Sequence, residues 1–345
     1  MKSATHSIPL IRANSLHDLG ELFKEQNPDI HALIASISAP LDVQQCHQDF
    51  LPEATLRSLI KVFGESCSPQ AFIIAIQHAC KTRYIPSVIA QLSQYGPMTV
   101  RSALEQFNEI ISDHSSGARL SLKHFNGDDW FVRDKEGVCE DWFKYAEVFS
   151  VIFMDELVSA LSGRRHWNRY VTLRSSDMES FITCPQLAHI QFFTHRSVTG
   201  IRLDASILNT DALLHRYPSN HAAQVLRPIP IQFVPAFKQS LQPYVRMGKL
   251  PLSQASRILC LHTRTIQRRL HAVGLTYRDV IEEIVLERAQ DLLLNSCLSI
   301  TAIAANMGYG DSANFTRFFK RKMAMTPSQY RCQKSAKAGV SRDRR

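Results

Sequence analysis

Ser299-Ile-Thr-Ala-Ile-Ala-Ala-Asn-Met-Gly-Tyr-Gly-Asp-Ser-Ala-Asn-Phe-Thr-Arg-Phe-Phe-Lys-Arg321 decides how the last third of this 345-residue chain folds. Ile303, Ala304 and Met307 repeat at helical spacing, and Phe315, Phe318 and Phe319 do so again after a break. Two short helices with one small shared core are therefore expected. Gly308 suits the turn between them, where positive φ costs little only for glycine. Leu252-Ser-Gln-Ala-Ser-Arg-Ile-Leu-Cys-Leu-His-Thr-Arg-Thr-Ile-Gln-Arg-Arg-Leu270 has the same plan, with Ala255, Leu259, Leu261, Ile266 and Leu270 as its core. Small Ser256 and Ala304 stand where the paired helices must approach closely.

A single helix is expected to join the two units. Thr276-Tyr-Arg-Asp279 is a capping-box variant. Val280, Ile281, Ile284, Val285, Ala289, Leu292 and Leu293 continue an apolar face behind it. About 18 residues at 1.5 Å each make roughly 27 Å. That is close to the ~34 Å separating successive major-groove openings on one side of DNA. Thr326-Pro327-Ser328-Gln329 then opens a closing helix, with Thr as cap and Pro in its first turn.

A helix-turn-helix presents the start of its second helix to the major groove. The outward residues there are Arg264, Gln267 and Arg268 in the first unit and Ser312, Ala313, Thr316 and Arg317 in the second, which makes them the base-contact candidates. Arginine can bond guanine bidentately and glutamine can bond adenine. Arg269, Lys320, Arg321 and Lys322 are the phosphate-contact candidates, supplying affinity but no code. The charge agrees. Residues 250–345 carry 16 Lys and Arg against 7 Asp and Glu, whereas residues 1–249 balance, so the whole +9 excess lies in the C-terminal part.

On these residues, 235–332 resemble the DNA-binding domain of AraC-type regulators. The signature is carried by Ala304, Gly308-Tyr309, Asp311, Phe315, Arg317, Phe319-Lys320, Pro327 and Tyr330-Arg331. The first unit departs from the family pattern, with Ser256 for the usual alanine, Cys260 for glycine and His262 for a serine cap. Ala324 also stands where glycine is common. A second resemblance, to the arabinose-binding-like N-terminal domain of one AraC-type subfamily, rests on Tyr95-Gly-Pro-Met-Thr-Val-Arg-Ser-Ala-Leu104, Ile190–Phe193, Ile201–Asp204 and Leu208. Together they imply a transcription regulator whose front domain binds a small effector or mediates dimerisation. The expected partners are double-stranded DNA, RNA polymerase, an effector of unidentified class and a second copy of the chain.

The front of the chain reads as α+β. Helices are expected at Ser15–Phe23, after Pro52 up to Gly64, from Pro69 to Ala79, after the Thr99 cap, and over Glu140–Leu161 ending at Gly163. Tyr95-Gly96-Pro97 is a break. Arg119–Phe125 and Trp130–Arg133 read as a hairpin around Asn126-Gly127-Asp128-Asp129. Short strands are expected at Tyr170, Ile190 and Ile201. Pro228, Pro230 and Pro235 mark a joint near 232. The expected organisation is thus an α+β sensing domain over 1–231, an all-α tandem helix-turn-helix domain over 232–333 and a basic disordered tail over 334–345.

Other function classes find little support in the sequence. There is no G-x-S-x-G, Walker loop or H-E-x-x-H, so no enzyme is expected. An enzyme fused to a DNA reader and a metal- or haem-dependent sensor are the alternatives. Eight scattered cysteines lack ligand or redox spacing, and Cys184, His189 and His195 match no metal site, so no cofactor is expected. Arg164-Arg165-His166-Trp167 reads as a solvated loop. No apolar run suits a membrane span, and the first residues do not read as a signal peptide, so a cytoplasmic location is expected.

Overall fold

The structure is a computed structural model that describes residues 8–13, 19–20, 50–117, 119–135, 140–164, 170–214, 228–245 and 250–340. The chain forms two compact units. One gathers the described residues of 9–48 and 53–229, the other those of 1–8, 49–52 and 230–345.

The front unit is helices around a five-stranded sheet. Helices α1 (Glu53–Ser66), α2 (Pro69–Ala79), α3 (Ile85–Leu92) and α4 (Val100–His114) precede the hairpin. Thr99 caps α4 through its side chain, as expected, and Ser68, not singled out from the sequence, caps α2 in the same way. α1 runs two residues past Gly64 before it stops. Of the expected helix Ser15–Phe23, only 19–20 lie within the described residues, and 165–167 lie outside them.

Strands β1 (Arg119–Phe125) and β2 (Asp128–Asp134) pair antiparallel across a two-residue turn. Asn126 (φ 52°) and Gly127 (φ 84°) both take the left-handed conformation that this turn type needs. Asp128 and Asp129, expected in the loop, instead begin β2. Asp129 is fixed there by Arg101 (3.1 Å) and His124 (3.1 Å). The pair of ion contacts compensates for aspartate's poor strand propensity. β3 (Tyr170–Thr172), helix α6 (Glu179–Ile182), β4 (Gln191–Phe193), β5 (Thr199–Leu203) and helix α7 (Ala205–Leu208) complete the unit. The sheet order is β1-β2-β5-β3-β4, antiparallel except for β3 against β4.

Between α4 and α6 in the chain lies α5 (Phe143–Ser162), the unit's central rod, stopped by Gly163 in the left-handed conformation. Twelve of its residues are buried, because α1, α2, α3, α4 and β5 all pack on it. That all-round burial is why its apolar residues do not form a single stripe.

Apart from the short strand Phe50–Pro52, the described residues of the C-terminal unit form helices: α8 (Phe233–Val245), α9 (Leu252–Leu259), α10 (Thr263–His271), α11 (Tyr277–Asn295), α12 (Ile300–Asn306), α13 (Ser312–Met323) and α14 (Pro327–Val340). Pro235, expected in the joint, lies in the first turn of α8, where its missing N–H has no helical acceptor to lose. α14 extends to Val340, so the expected tail from Lys334 begins as helix. Lys334-Ser-Ala-Lys-Ala338 is rich in helix formers and holds no proline. No helix among the described residues is long and apolar enough to cross a membrane.

Candidate nucleic-acid interface

The first reader is α9, a tight turn and α10. Ala255, Ile258, Leu259, Ile266 and Leu270 are buried between the helices. Ser256 closes the turn twice: its carbonyl accepts from the Leu261 N–H (3.1 Å) and its hydroxyl donates to the Leu261 carbonyl. Cys260 ends α9 in the left-handed conformation (φ 50°, ψ 40°), which costs a residue with a Cβ about 1–2 kcal/mol. Neither helix has a side-chain cap; Pro251 precedes α9 and His262 precedes α10.

The second reader, α12 and α13, has the same plan with different parts. The Ala304 carbonyl accepts from the Tyr309 N–H (3.0 Å), matching Ser256 and Leu261. Gly308 supplies the positive φ (74°) without strain. Both helices are capped: Ser299 accepts from the Ala302 N–H (3.1 Å) and Asp311 from the Asn314 N–H (2.6 Å). The core is aromatic. Phe315, Phe318, Phe319, Tyr309 and Tyr330 form a chain of ring contacts at 5.5–5.9 Å. Burial pushes the Tyr309 hydroxyl up to about 12.

α11 joins the readers. Its 19 residues span about 28 Å. Both halves of the expected capping box form, the Thr276 N–H donating to Asp279 (2.9 Å) and the Asp279 N–H to Thr276 (3.2 Å). Val280, Ile284, Val285, Ala289 and Leu293 are buried, while Ile281 and Leu292 are half-buried. Arg331 fastens the far end, donating to the Leu293 (3.1 Å) and Leu298 (2.8 Å) carbonyls. Thr326 and Gln329 cap α14 reciprocally, as the sequence suggests.

The base-contact candidates divide sharply. Arg264, Gln267 and Arg268 are exposed on α10, and among the described residues none is held by a side-chain hydrogen bond or ion pair. On α13, Ala313 is exposed and Ser312 half-buried. Thr316 donates its hydroxyl to the Ser312 carbonyl (2.7 Å). Arg317 is exposed but bonded to Asn314 (2.7 Å), which is itself bonded to Asp311. An acid–amide–arginine chain thus fixes the second reader's arginine.

The phosphate-contact candidates are not equally available. Lys320 is exposed. Arg321 and Lys322 both reach Glu282 on α11 (3.0 and 2.7 Å), where Arg278 also binds (2.9 Å). Burial pushes the Glu282 carboxyl up. Hydrogen bonds from Lys322 and Arg278, with the charges of Lys322 and Arg321, outweigh it and hold the group below the usual glutamate range. Arg269 lies over the Phe233 ring of α8 (5.1 Å). Sequence reasoning missed Glu282 and Asn314, and gave Arg331 as a signature residue without its role. Only the Arg278–Glu282 pair, at i,i+4, carried a local signal.

A family model described as a helix-turn-helix domain matches 255–333. Residues 255–333 are an AraC-type helix-turn-helix domain. Two Pseudomonas aeruginosa proteins are similar over this part. One is the HTH-type transcriptional regulator VqsM, 34% identical over 80 residues, covering 23% of this chain and 25% of the relative. The other is the ornithine utilization regulator, 36% identical over 87 residues, covering 25% and 26%. The chain therefore spans about a quarter of the length of these relatives. The crystal structure of the regulator CdpR from the same organism aligns over 90% of this chain and 98% of its own, at 16% identity and a TM-score of 0.38, too loose a likeness to bear on either unit.

Within the AraC-type domain, most of the signature now has a physical role. Asp311 caps, Gly308 turns, Phe315 and Phe319 fill the core, and Arg331 clamps α11. The departures have consequences too. Cys260 and Ala324 (φ 57°) both occupy left-handed positions, and His262 leaves α10 uncapped. Of the other polar clusters, Cys184 donates to the Ser180 carbonyl (3.3 Å), and the described residues hold no group of three His, Cys, Asp or Glu able to bind a metal.

Proposed function

We propose that the chain is a sequence-specific transcription regulator whose two readers enter adjacent major grooves of one DNA duplex. Residues 232–333 form the reader and 1–231 the sensing part. A small effector bound in front biases dimerisation or reader placement, and two half-sites read together bind far more tightly than one. RNA polymerase is the further partner that such a regulator addresses.

The observation that carries this is the set Arg264, Gln267 and Arg268, three donors exposed on one short helix with no protein acceptor among the described residues. Arg317 supplies the second contact from an already fixed position. Each bidentate base contact is worth about 1–3 kcal/mol of discrimination.

The test uses the full chain and an oligonucleotide selected from a random pool. Arg268→Ala and Arg317→Ala should each lower the preference for the selected site over scrambled DNA by about 1–3 kcal/mol. Binding to scrambled DNA at low salt should change much less. Equal loss on both DNAs, at several salt concentrations, would refute the base-contact roles.

A further inference from the structure

The front unit holds a partly open cavity of about 250 Å³. Its walls are mainly apolar. Phe107, Phe149 and Phe153 form one side as stacked rings, with centroids 5.5 Å apart for Phe107–Phe153 and 6.3 Å apart for Phe149–Phe153. Arg57, Arg83, Arg133, Lys135 and His114 also line it, and among the described residues no carboxylate does. Such a pairing of apolar walls with a few convergent polar groups is the usual make-up of a small-molecule site.

The cations are assembled from distant parts of the chain. Arg133 and Lys135 stand two residues apart at the end of β2, so they share a face. Both are buried. Arg133 places one donor on a protein acceptor, the Ala146 carbonyl (3.3 Å), out of its five. Lys135 is paired with Glu53, which also takes Arg57 (3.4 Å). Arg57 and Lys135 both lie against the Trp142 ring, at 4.6 and 5.4 Å.

Negative charge is in short supply there. The second buried carboxylate, Glu147, is occupied by the Arg174 N–H (2.6 Å), the Ser175 N–H (3.0 Å) and the Thr199 hydroxyl. Glu140 is exposed, accepts from the Trp142 indole N–H (2.7 Å) and lies 3.9 Å from Arg57. Burial pulls Lys135 down to about 8 and Arg133 down to about 10, against the opposing charge of Glu53 on both and of Glu147 on Arg133, with neighbouring cations adding a smaller push downward. Each is charged at a cost that an incoming anion would relieve.

Resting on the effector reading above, we infer that this cavity binds a small amphipathic anion: one carboxylate set against Arg133 and Lys135, and an apolar body of about ten heavy atoms against the phenylalanines. The cation cluster selects the sign of charge and the aromatic wall selects the tail. A sugar or other polyol would leave the rings unserved, and a cation would meet like charge.

The test titrates the full chain with octanoate, 1-octanol and octylammonium by calorimetry. Octanoate should bind at least tenfold more tightly than octanol, and octylammonium should not bind. Ser150→Leu fills the cavity from α5 without touching an ion pair, and should abolish octanoate binding while keeping the cooperative melt and the DNA affinity of the ligand-free chain. Lys135→Met should bring octanoate and octanol close to parity. Equal binding of octanol, no binding of octanoate, or octanoate binding unchanged in Ser150→Leu would each overturn the proposal. DNA affinity is followed in parallel. If it responds to a small molecule that is not an anion, the effector reading stands and the anion proposal falls. If octanoate binds in the cavity but DNA affinity never moves, the anion site stands and the effector reading falls.

Discussion

The two readers share a backbone plan and differ in how it is held. The second reader has a side-chain cap on each helix, a glycine in its turn and an aromatic core that continues into α14. The first has no side-chain cap, a strained Cys260 and an aliphatic core. Their reading faces differ in the opposite sense. Among the described residues Arg264, Gln267 and Arg268 have no side-chain partner, whereas Arg317 is tied through Asn314 to Asp311. The second unit is therefore preorganised, and the first leaves its side chains free to adjust. A fixed arginine loses less entropy on binding a base, and a free one tolerates more sequences.

The largest effect should come from the second core. Phe315→Ala removes a fully buried ring that touches Tyr309 and Phe319, and should cost about 3–5 kcal/mol. Ile266→Ala, the matching truncation of a fully buried side chain in the first core, should cost about 2–3 kcal/mol. Thermal melts of the full chain measure both. A larger loss from the isoleucine trim would break the comparison outright.

Next comes Glu282, the one carboxylate binding Arg278, Arg321 and Lys322. Its carboxyl is held below the usual range, so its stabilisation is present above the unfolded-state pKa and is lost as pH falls through the folded one. Glu282→Gln should flatten that acid limb and cost about 1 kcal/mol near neutrality, a modest figure because Arg278 and Arg321 are largely exposed to water. It should also free Arg321 and Lys322 for phosphates. Binding to scrambled DNA should then tighten, and the salt slope should steepen by about 1–2. An unchanged slope would mean that the two side chains do not reach the backbone even when released.

What the sequence disclosed and what it hid follow one physical division. Local signals were legible: Thr99 and Thr276 as caps, Pro69 as a helix start, Asn126-Gly127 as a hairpin turn, Gly308 as a left-handed turn, and both reader cores from apolar spacing. Long-range electrostatics were not. The three cations on Glu282 come from positions 278, 321 and 322, and the acceptors of Arg331 lie at 293 and 298. The cavity draws on 57, 83 and the neighbouring pair 133 and 135, three parts of the chain that no local pattern connects. Asp128 and Asp129 misled for the same reason, since turn chemistry is local and the Arg101 partner is not.

Caps offer a direct exchange between the readers. Asp311→Ala should cost about 1 kcal/mol by leaving the Asn314 N–H without its acceptor. It should also loosen Arg317, because Asn314 loses its anchor. His262 already has the extended backbone of a cap (φ −60°, ψ 140°) without a side-chain bond. His262→Ser should therefore stabilise the first reader by about 0.5–1 kcal/mol. Amide hydrogen exchange in α10 should slow in that variant, while α13 stays unchanged. If α10 were equally protected before and after, the missing cap would not be what sets it apart.

The smallest effect isolates backbone strain. Cys260 and Ala324 both adopt left-handed conformations, so glycine should relieve each. The relief of about 1–2 kcal/mol is offset by the roughly 0.5–1 kcal/mol of extra unfolded-state freedom that glycine brings. Ala324 has no side-chain bond to lose, and Ala324→Gly should gain about 0.5 kcal/mol. The Cys260 thiol donates to the Arg257 carbonyl across 3.7 Å, so Cys260→Gly forfeits part of its gain and should add only about 0.2–0.3 kcal/mol. The ranking, Ala324 above Cys260, is what a pair of denaturant melts should recover. If Cys260→Gly proved the more stabilising, strain in the first turn would outweigh its thiol contact, and the softness of the first reader would lie in that turn and not in its missing caps.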